Sequence, residues 1–298
     1  MQITSSQDRE YSKVVAVVGV TASGKSQLGM QLAEEYDGEI ICADSRTIYR
    51  GMDIGTAKPT LADQSQVPHH LLDMVEPGDR FTAADFKLHA LEVISDISRR
   101  GKLPLLIGGT GLYVDSVIFD YAFSTVNELG FKREDLVGYS IKELLAALDE
   151  HHIPIPENEK NRRYLIRTLE RGGGGHTDRQ QLRPSTLVLG VSCENSVLRK
   201  RVEVRVEQMF RKGLRREVDG LVGRYGWRNE ALTGIGYREF RTNYEGRASM
   251  SEVKREIVQD TLKLAKHQRT WFKRDPYIEW VDSYEEASSK VNDFLQAE

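Results

Sequence analysis

The sequence is poor in the residues on which stapled or extended folds depend. It has 2 cysteines and 8 prolines among 298 residues, and its formal net charge is −3. Cys42 and Cys193 are too few and too far apart for a disulfide scaffold or a zinc site, so we expect two buried thiols in a reducing cytoplasm. The small net charge argues against a uniformly basic nucleic-acid-binding protein, although it can hide local basic clusters.

Long apolar runs are also missing. No stretch approaches the ~20 consecutive apolar residues that a membrane-spanning helix requires, and residues 1–12 are polar without an apolar signal core. We therefore expect a cytoplasmic protein that does not associate with membranes. The hydrophobic content of 39% and charged content of 29% are ordinary for a globular chain. A chain of this length can form one large domain or a core with a smaller insertion.

Short apolar runs alternate with segments of helical periodicity. The runs cover residues 14–18, 39–43, 103–107 and 187–191, and a shorter one covers 278–281. Such alternation predicts an α/β fold in which a parallel sheet is flanked by helices.

Residues 119–183 differ from the sequence on either side. They are polar, show helical periodicity at 141–150 and 162–171, and include the glycine run 172–175. Because consecutive glycines do not hold regular structure cheaply, we predict a hinge or loose connection there. The predicted domains are an α/β core at 1–118 and 184–298 and an inserted helical subdomain at 119–183. The carboxyl-terminal part of the core should be helical except at 220–236.

The first apolar run leads into a phosphate-binding loop. Residues 19–26 match the pattern G-x-x-x-x-G-K-[ST], and a helix-like segment begins near Ser26. Glycines allow main-chain N–H groups to approach phosphate oxygens, and the helix that follows directs its positive end at the same anion. Lys25 would add a point charge, and the Ser26 hydroxyl would bind Mg²⁺. This context predicts a P-loop NTPase-like core whose anion-binding residues are Gly19, Val20, Thr21, Ala22, Ser23, Gly24, Lys25 and Ser26.

The second acid of most P-loop enzymes is missing from its usual position. Enzymes that transfer or hydrolyse the terminal phosphoryl of ATP carry this acid at the end of another strand, but the run 103–107 leads into the glycine-rich segment 108–111. Asp44 instead follows the run 39–43, so it should lie at the carboxyl edge of the sheet, where α/β proteins bind ligands. Asp44 is thus a candidate general base or hydrogen-bond acceptor. The alternative is that it caps a helix or turn.

Six further blocks occur at residues 44–59, 67–73, 108–113, 205–209, 234–239 and 265–272. They read DSRTIYRGMDIGTAKP, VPHHLLD, GGTGLY, RVEQM, GIGYRE and AKHQRTWF. In their residues and their order these blocks resemble those of the tRNA dimethylallyltransferases, also called tRNA isopentenyltransferases. The similarity spans about residues 14–280, and six ordered blocks are far more specific than the phosphate-binding loop alone.

The resemblance implies a prenyl transfer. The dimethylallyl group of dimethylallyl diphosphate would move to the exocyclic N6 amine of adenosine at tRNA position 37, beside the anticodon, with release of diphosphate. Residues 19–26 and Arg205 would bind the diphosphate, together with Arg201 and with Mg²⁺ as cofactor. Since no phosphoryl group moves, the missing second acid is explained. Asp44 and Thr110 would be catalytic, Asp44 as the acceptor of the amine hydrogen bond; Thr110 is otherwise a turn residue.

The resemblance also implies contacts with the tRNA anticodon stem-loop. It assigns them to Asp44, Ser45, Arg46, Thr47, Thr110, Arg163 and Arg167. At 100° per residue, the cations at 201, 205, 212 and 216 would form one stripe on a single helix, which is either a solvated surface or an RNA and diphosphate contact. Two more basic sets that could contact RNA phosphates comprise Lys160, Arg162, Arg163, Arg167 and Arg171, and Lys263, Lys266, Arg269, Lys273 and Arg274. We expect a monomer.

Several positions depart from the family pattern. Val20 stands where proline is usual, Arg46 and Thr47 replace methionine and glutamine, and Tyr164 and His267 stand where arginine is usual. These departures leave the residues of the diphosphate chemistry in place and affect tRNA recognition.

Three further aromatic or imidazole features have structural interpretations. We expect the adjacent His69 and His70 to form structural hydrogen bonds and not to bind a metal, because neighbouring side chains diverge and no third ligand is near. We expect Trp271 and Trp280 to anchor the core and not to stack on bases.

Three other functions remain open at this point. A small-molecule kinase would use Asp44 as base and the insertion as a lid. An adenylate isopentenyltransferase would prenylate a free nucleotide, although the GGTGLY block and the basic carboxyl-terminal helices disfavour it. A catalytically silent RNA-binding protein would bind tRNA and release no diphosphate.

Overall fold

The structure is a computed structural model that describes residues 12–123, 130–156, 158–172 and 181–297. Its contacts divide the chain into two compact units, a larger one formed by residues 1–119 and 182–298 and a smaller one formed by 120–181. The hinge predicted at the glycine run falls almost entirely outside the described residues, as does most of the segment 1–12.

The larger unit is built on a parallel sheet. In its described part the strands are β1 Val14–Gly19, β2 Gly38–Ala43, β3 His69–His70, β4 Leu103–Gly108, β5 Thr186–Val191 and β6 Ile278–Val281. They follow the order β3-β2-β4-β1-β5-β6, and every pairing is parallel. Strands β1, β2 and β4 are buried along their whole length, as expected of strands covered on both faces.

Helices flank this sheet, so the predicted α/β architecture is confirmed. Capping boxes begin α2, α3 and α11, where Thr60, Thr82 and Ser249 each accept a main-chain N–H of the first turn. In chain order the helices are α1 Lys25–Glu35, α2 Leu61–Gln66, α3 Ala83–Arg99, α4 Gly111–Ile118, α5 Arg133–Leu136, α6 Ile141–Glu150, α7 Arg162–Glu170, α8 Asn195–Arg211, α9 Leu214–Tyr225, α10 Phe240–Tyr244, α11 Met250–Phe272 and α12 Tyr284–Gln296.

Two apolar clusters hold the larger unit together. One packs α1 and α12 onto the sheet through side chains such as Leu32, Leu105 and Val291. The other joins α8, α9 and α11 to the segment that follows β2, with Met52 and Tyr237 fully buried in it. Each fully buried side chain of this size stabilises the fold by roughly 1.5–3 kcal/mol. The second cluster therefore fixes the carboxyl-terminal helices against the loops that leave the sheet.

The smaller unit contains α5, α6 and α7 around its own apolar core. Helices α6 and α7 lie where the periodicity predicted them. Ser140 begins α6 with a capping box, in which its side chain accepts the Glu143 N–H. The core consists of Leu136, Leu144, Leu148, Ile153, Leu165, Ile166 and Leu169.

The prediction that four cations form one stripe on a single helix is wrong. Helix α8 ends at Arg211, and Gly213 adopts a φ of 98° before α9 begins, so Arg216 lies on a different helix from Arg201 and Arg205. Helix α9 then continues through Gly220 to Tyr225, which moves the predicted break at 220–236 to a start at Gly226. The left-handed conformation at Gly213 allows this change of direction, which helical periodicity alone does not show.

The expectations for the tryptophans and one cysteine are also wrong. Trp271 and Trp280 are 38% and 40% exposed, so neither is a core anchor. Cys42 is buried as expected, whereas Cys193 is half-buried. Among the described helices, none combines the length and the apolar character that spanning a bilayer requires.

The structural hydrogen bonds predicted for the histidine pair are observed. His69 Nδ1 lies 2.7 Å from the Val67 carbonyl oxygen, and His70 Nε2 lies 2.7 Å from Glu39 Oε2. The described residues include no group of three His, Cys, Asp or Glu side chains that could hold a metal ion. These histidines form β3, a strand that is too short to give an apolar run in the sequence.

Glu39 is a buried carboxylate that joins β2 to the end of α3. Its side chain is 4% exposed, and Oε2 accepts a hydrogen bond from Arg100 Nη2 at 2.8 Å, while Arg100 Nη1 donates to Oε1. These Arg100 hydrogen bonds, opposed by burial and supported by His70, lower the pKa of Glu39 to about 2. Ionised Glu39 therefore stabilises the folded state.

We predict that Glu39→Gln lowers the free energy of unfolding by about 3 kcal/mol at pH 7, because it leaves Arg100 without its buried partner. The native pKa is depressed, so this stabilisation is complete above pH 4.5 and is lost as the pH falls towards 2. Urea unfolding between pH 3 and 7 measures the difference between variant and parent, which should shrink on acidification. Asp96→Asn removes the half-exposed partner of the same arginine and should cost under about 1 kcal/mol. Equal losses in the two variants would contradict this account.

Candidate active site

The loop between β1 and α1 has the backbone geometry of an anion cradle. Ala22 and Gly24 adopt positive φ angles of 61° and 107°, which turn the chain into the first turn of α1. A Cβ at Gly19 would lie 2.9 Å from Ser23 Oγ, so the loop is closely packed. That Ser23 hydroxyl is buried without a hydrogen-bond partner among the described residues, and a ligand oxygen or water is its expected partner. Helix α1 begins directly after this loop, so the positive end of its dipole faces an anion bound there.

Three cationic side chains approach the same loop. Lys25 Nζ donates to the Val20 carbonyl at 3.3 Å, and Arg201 Nη1 donates to the Ser23 carbonyl at 2.6 Å. Arg205 Nη1 lies 3.4 Å from Thr21 Oγ1, near the limit of a hydrogen bond. Arg201 and Arg205, which the resemblance assigns to the diphosphate, thus both contact the phosphate-binding loop, and their contact with diphosphate stays a prediction.

The electrostatics of these cations favour an anionic ligand. Burial lowers the pKa of Lys25 to about 8, an effect that Asp44 opposes and Arg205 strengthens. Burial also lowers the pKa of Arg205, again against the influence of Asp44. Two desolvated cations that repel each other would be stabilised by an anion bound between them, so this loop is suited to a phosphate or diphosphate.

Asp44 and Thr110 are brought together by the register of β2 and β4. Ala43 pairs with Gly108, and the Thr110 N–H donates to the Ala43 carbonyl at 3.2 Å. Thr110 Oγ1 then accepts the Ser45 N–H at 3.0 Å. Asp44 Oδ1 accepts the Arg46 N–H at 2.8 Å, so the turn-capping alternative is also observed. One carboxylate both caps its own turn and lines the cavity described next.

Two cavities meet at the phosphate-binding loop. The Thr110 cavity, of about 480 Å³, is lined by Thr110, Arg46 and Trp271 among others. The Ser26 cavity, of about 810 Å³, is lined by Ser26 and Thr47 among others. A ligand in each cavity could therefore reach the other at their junction. Both cavities are lined by Thr21, Lys25, Asp44, Thr56, Arg205 and Met209.

Gln268 is a site residue whose role the sequence does not indicate. Its Oε1 accepts the Thr21 N–H at 2.7 Å, and its Nε2 donates to the Gly109 carbonyl at 2.9 Å. The side chain therefore ties the phosphate-binding loop to the loop that carries Thr110. The only signal in the sequence is its position inside the AKHQRTWF block.

Trp271 lies one turn of α11 beyond Gln268 and was wrongly expected to anchor the core. Its indole Nε1 donates to Asp115 Oδ2 at 2.9 Å. A Cβ at Gly111 would lie 2.3 Å from the ring, so glycine is required for this contact. The partly exposed ring therefore lines the Thr110 cavity beside the start of α4.

The remaining residues predicted to contact tRNA do not all lie at one place in the structure. Ser45 and Arg46 line the Thr110 cavity, and Arg46 Nη1 lies 3.4 Å from the Ala231 carbonyl. Thr47 is 5% exposed. Arg163 and Arg167 are exposed on α7 of the smaller unit. Contact of these residues with tRNA stays a prediction.

Ser26 is a candidate Mg²⁺ ligand at the start of α1. It is exposed and lines the Ser26 cavity beside Lys25 and Asp44. Mg²⁺ in proteins usually keeps several waters and takes further oxygen ligands from substrate phosphates. A single Ser26 hydroxyl beside an anion-binding loop fits such an ion, and binding of Mg²⁺ here stays a prediction.

The chain is similar to one protein family over most of its length. The family whose profile matches residues 47–275 is described as IPP transferase. A tRNA dimethylallyltransferase from Geobacillus thermodenitrificans is 39% identical over 290 residues, covering 91% of this chain and 90% of the relative. One from Geobacter metallireducens is 40% identical over 293 residues, covering 93% and 94%.

Solved structures share the fold. A full-length tRNA isopentenylpyrophosphate transferase from Bacillus halodurans superposes with a TM-score of 0.72 at 32% identity, covering 96% of both chains. A eukaryotic dimethylallyltransferase acting on tRNA gives a TM-score of 0.80 at 24% identity, covering 96% of this chain and 80% of that one. The second likeness shows the fold alone.

We predict that inorganic diphosphate binds more weakly as the pH rises from 7 to 9, because Lys25, with its pKa lowered to about 8, loses its charge. Titration calorimetry of the parent and of Lys25→Met measures the effect. The dissociation constant of Lys25→Met divided by that of the parent should fall about tenfold across this range, because only the parent loses a charge. Ionisation of diphosphate itself affects both proteins equally and cancels in the ratio. Parallel pH profiles would show that Lys25 does not charge-pair with the ligand.

Proposed function

Because the chain belongs to the IPP transferase family, we propose that it transfers the dimethylallyl group of dimethylallyl diphosphate to a tRNA adenosine. The acceptor atom is the exocyclic N6 at position 37, beside the anticodon, and diphosphate is released. The observation that carries this proposal is the junction of the two cavities, where an anion-binding loop faces Asp44 and Thr110. One substrate can occupy each cavity and react at the junction.

The phosphate-binding loop acts on the leaving group. The bond between the allylic carbon and the diphosphate oxygen breaks, which leaves negative charge on diphosphate and positive charge on the carbon fragment. The loop N–H groups, Lys25 and Arg205 stabilise that negative charge as it develops. Ser26 would hold Mg²⁺, which when bound would further stabilise the negative charge of the leaving group. No phosphoryl group moves, which is consistent with the glycine-rich end of β4.

Asp44 and Thr110 act on the nucleophile. The adenine N6 lone pair is delocalised into the ring, so the amine is a weak nucleophile. As the new N–C bond forms, the amine proton passes towards the Asp44 carboxylate, whose turn is fixed by the Arg46 N–H. A positioned base typically contributes 10²- to 10⁴-fold. Thr110, held against Ser45, presents its hydroxyl group to the same adenosine.

The adenosine must leave its stack to reach this carboxylate, at a cost of a few kcal/mol that protein contacts offset. The Thr110 cavity supports this step because Arg46, Thr110 and the partly exposed Trp271 all line it. The Ser26 cavity remains available to dimethylallyl diphosphate.

Binding of the tRNA backbone is assigned to the basic surfaces. A third cavity, of about 540 Å³ between α8 and α11, is lined by Arg199, Lys266, Arg269 and Lys273 among others. This supports the predicted RNA role of the last basic set, because clustered cations bind phosphates with little sequence preference. Arg163 and Arg167 are exposed cations of the smaller unit suited to the same task. The proposal also holds that the protein acts as a monomer in the cytoplasm.

We predict that Asp44→Asn lowers kcat for prenyl transfer by 10²- to 10⁴-fold, because asparagine cannot accept the amine proton. The assay supplies radiolabelled dimethylallyl diphosphate, Mg²⁺ and unmodified tRNA, and it measures label in digested RNA. Asp37→Asn, at the opposite end of β2, is the matched control and should retain full activity. Label in free AMP would indicate an adenylate isopentenyltransferase. ATP turnover would indicate a kinase, and tRNA binding without diphosphate release would indicate a silent RNA-binding protein.

We predict that Lys266→Ala and Lys273→Ala weaken tRNA binding and each flatten its logarithmic salt dependence by about 0.7 to 0.9, as expected for one lost phosphate contact. Filter binding at several salt concentrations measures both effects. Affinity for inorganic diphosphate should not change. Lys290→Ala, which removes an α12 cation paired with Glu279 of β6, should bind tRNA like the parent. An unchanged salt slope in the first two variants would remove this surface from the proposal.

A further inference from the structure

Glu217, in the first turn of α9, holds the loop that follows β2 by three consecutive main-chain amides. Its Oε2 accepts the N–H groups of Asp53 at 3.1 Å and Ile54 at 2.8 Å. Its Oε1 accepts the Gly55 N–H at 3.0 Å and the Tyr237 hydroxyl at 2.7 Å. Hydrogen bonds to an ionised acceptor are shorter and stronger than neutral ones, so four of them fix this loop firmly.

The loop has no room to shift. Tyr237 is fully buried against it, and a Cβ at Gly55 would lie 2.5 Å from the tyrosine ring. Gly236, with a φ of 92°, lies so close that its own Cβ would be 3.1 Å from the Gly55 carbonyl. Buried Lys58 fixes the other side of the loop, donating to Asp53 Oδ1 at 2.6 Å.

This loop delivers a contact to the candidate active site. Thr56 follows Gly55, and its carbonyl accepts a hydrogen bond from Arg205 Nη2 at 3.2 Å. The other arm of the guanidinium lies against Thr21 Oγ1 in the phosphate-binding loop. Thr56 and Arg205 line both cavities, whereas Glu217 lines neither. A chain of contacts therefore runs from Glu217 through the loop to Arg205.

We infer that Glu217 is a positioning residue for the diphosphate end of the proposed reaction: it holds residues 53–56 so that the Thr56 carbonyl orients Arg205 towards the leaving group. This inference rests on the proposed function. Glu217 itself does not touch the substrate, and its effect passes through a main-chain carbonyl. The sequence gives no sign of this link, because Glu217 lies far along the chain from the loop that it holds.

Glu217→Gln is the direct test. Its side-chain amide has one acceptor and one donor, so it cannot accept all four hydrogen bonds, and the loop loses at least one. We expect KM for dimethylallyl diphosphate and Kd for inorganic diphosphate to rise about tenfold, the loss of one charge-assisted hydrogen bond. The affinity for tRNA should stay within about twofold. Asp219→Asn, on the same helix and paired with Arg215 at the surface, is the matched control and should change none of these values.

A double-mutant cycle separates positioning from simple loss of stability. If Glu217 acts through Arg205, adding Glu217→Gln to Arg205→Lys should weaken diphosphate binding by less than about twofold. Additive losses, or a Glu217→Gln protein that binds diphosphate like the parent, would overturn the inference. Should Glu217→Gln fail to fold, Tyr237→Phe removes one hydrogen bond only, and the same cycle with it should give a smaller, non-additive loss. Diphosphate binding needs no transfer, so a parent that binds diphosphate but prenylates no tRNA would reject the proposed function alone.

Discussion

Parallel pairing of β1, β4 and β2 is the constraint on which the candidate active site depends. Strand β4 lies between the other two, so the carboxyl ends of all three open onto one edge of the sheet. The phosphate-binding loop follows β1, Asp44 follows β2, and Thr110 follows β4. Three segments that are far apart in the chain therefore meet at one place, as ligand sites of open α/β sheets do.

This edge of the sheet carries two cations, Lys25 and Arg205, and the carboxylate of Asp44, which interacts with both. Burial weakens the hold of Lys25 and Arg205 on their protons, and Asp44 partly compensates. The same surroundings make the nearby thiol inert: burial, supported by Asp44, raises the pKa of Cys42 to about 12. A diphosphate would neutralise the two cations and leave Asp44 available to a second substrate.

Helices from the carboxyl-terminal part of the chain set the geometry of the loops. Gln268 on α11 joins the phosphate-binding loop to the loop of Thr110, and Glu217 on α9 holds the segment that contacts Arg205. The apolar cluster that includes Met52, Val202 and Ile257 fixes these helices against the loops that leave the sheet. The phosphate-binding loop, the loop of Thr110 and the segment that contacts Arg205 are thus linked through one packed layer.

Local patterns in the sequence determined five of the six described strands, the phosphate-binding loop and the positions of Asp44 and Thr110, because each of these depends on neighbours in the chain. Only the tertiary structure decided that Gly213 divides the basic stripe between two helices, that Trp271 lines a cavity, and that Gln268 and Glu217 hold the loops. Those features rest on hydrogen bonds and packing between segments far apart in sequence. Which distant segments meet is decided by how the helices pack on the sheet, and no local pattern records it.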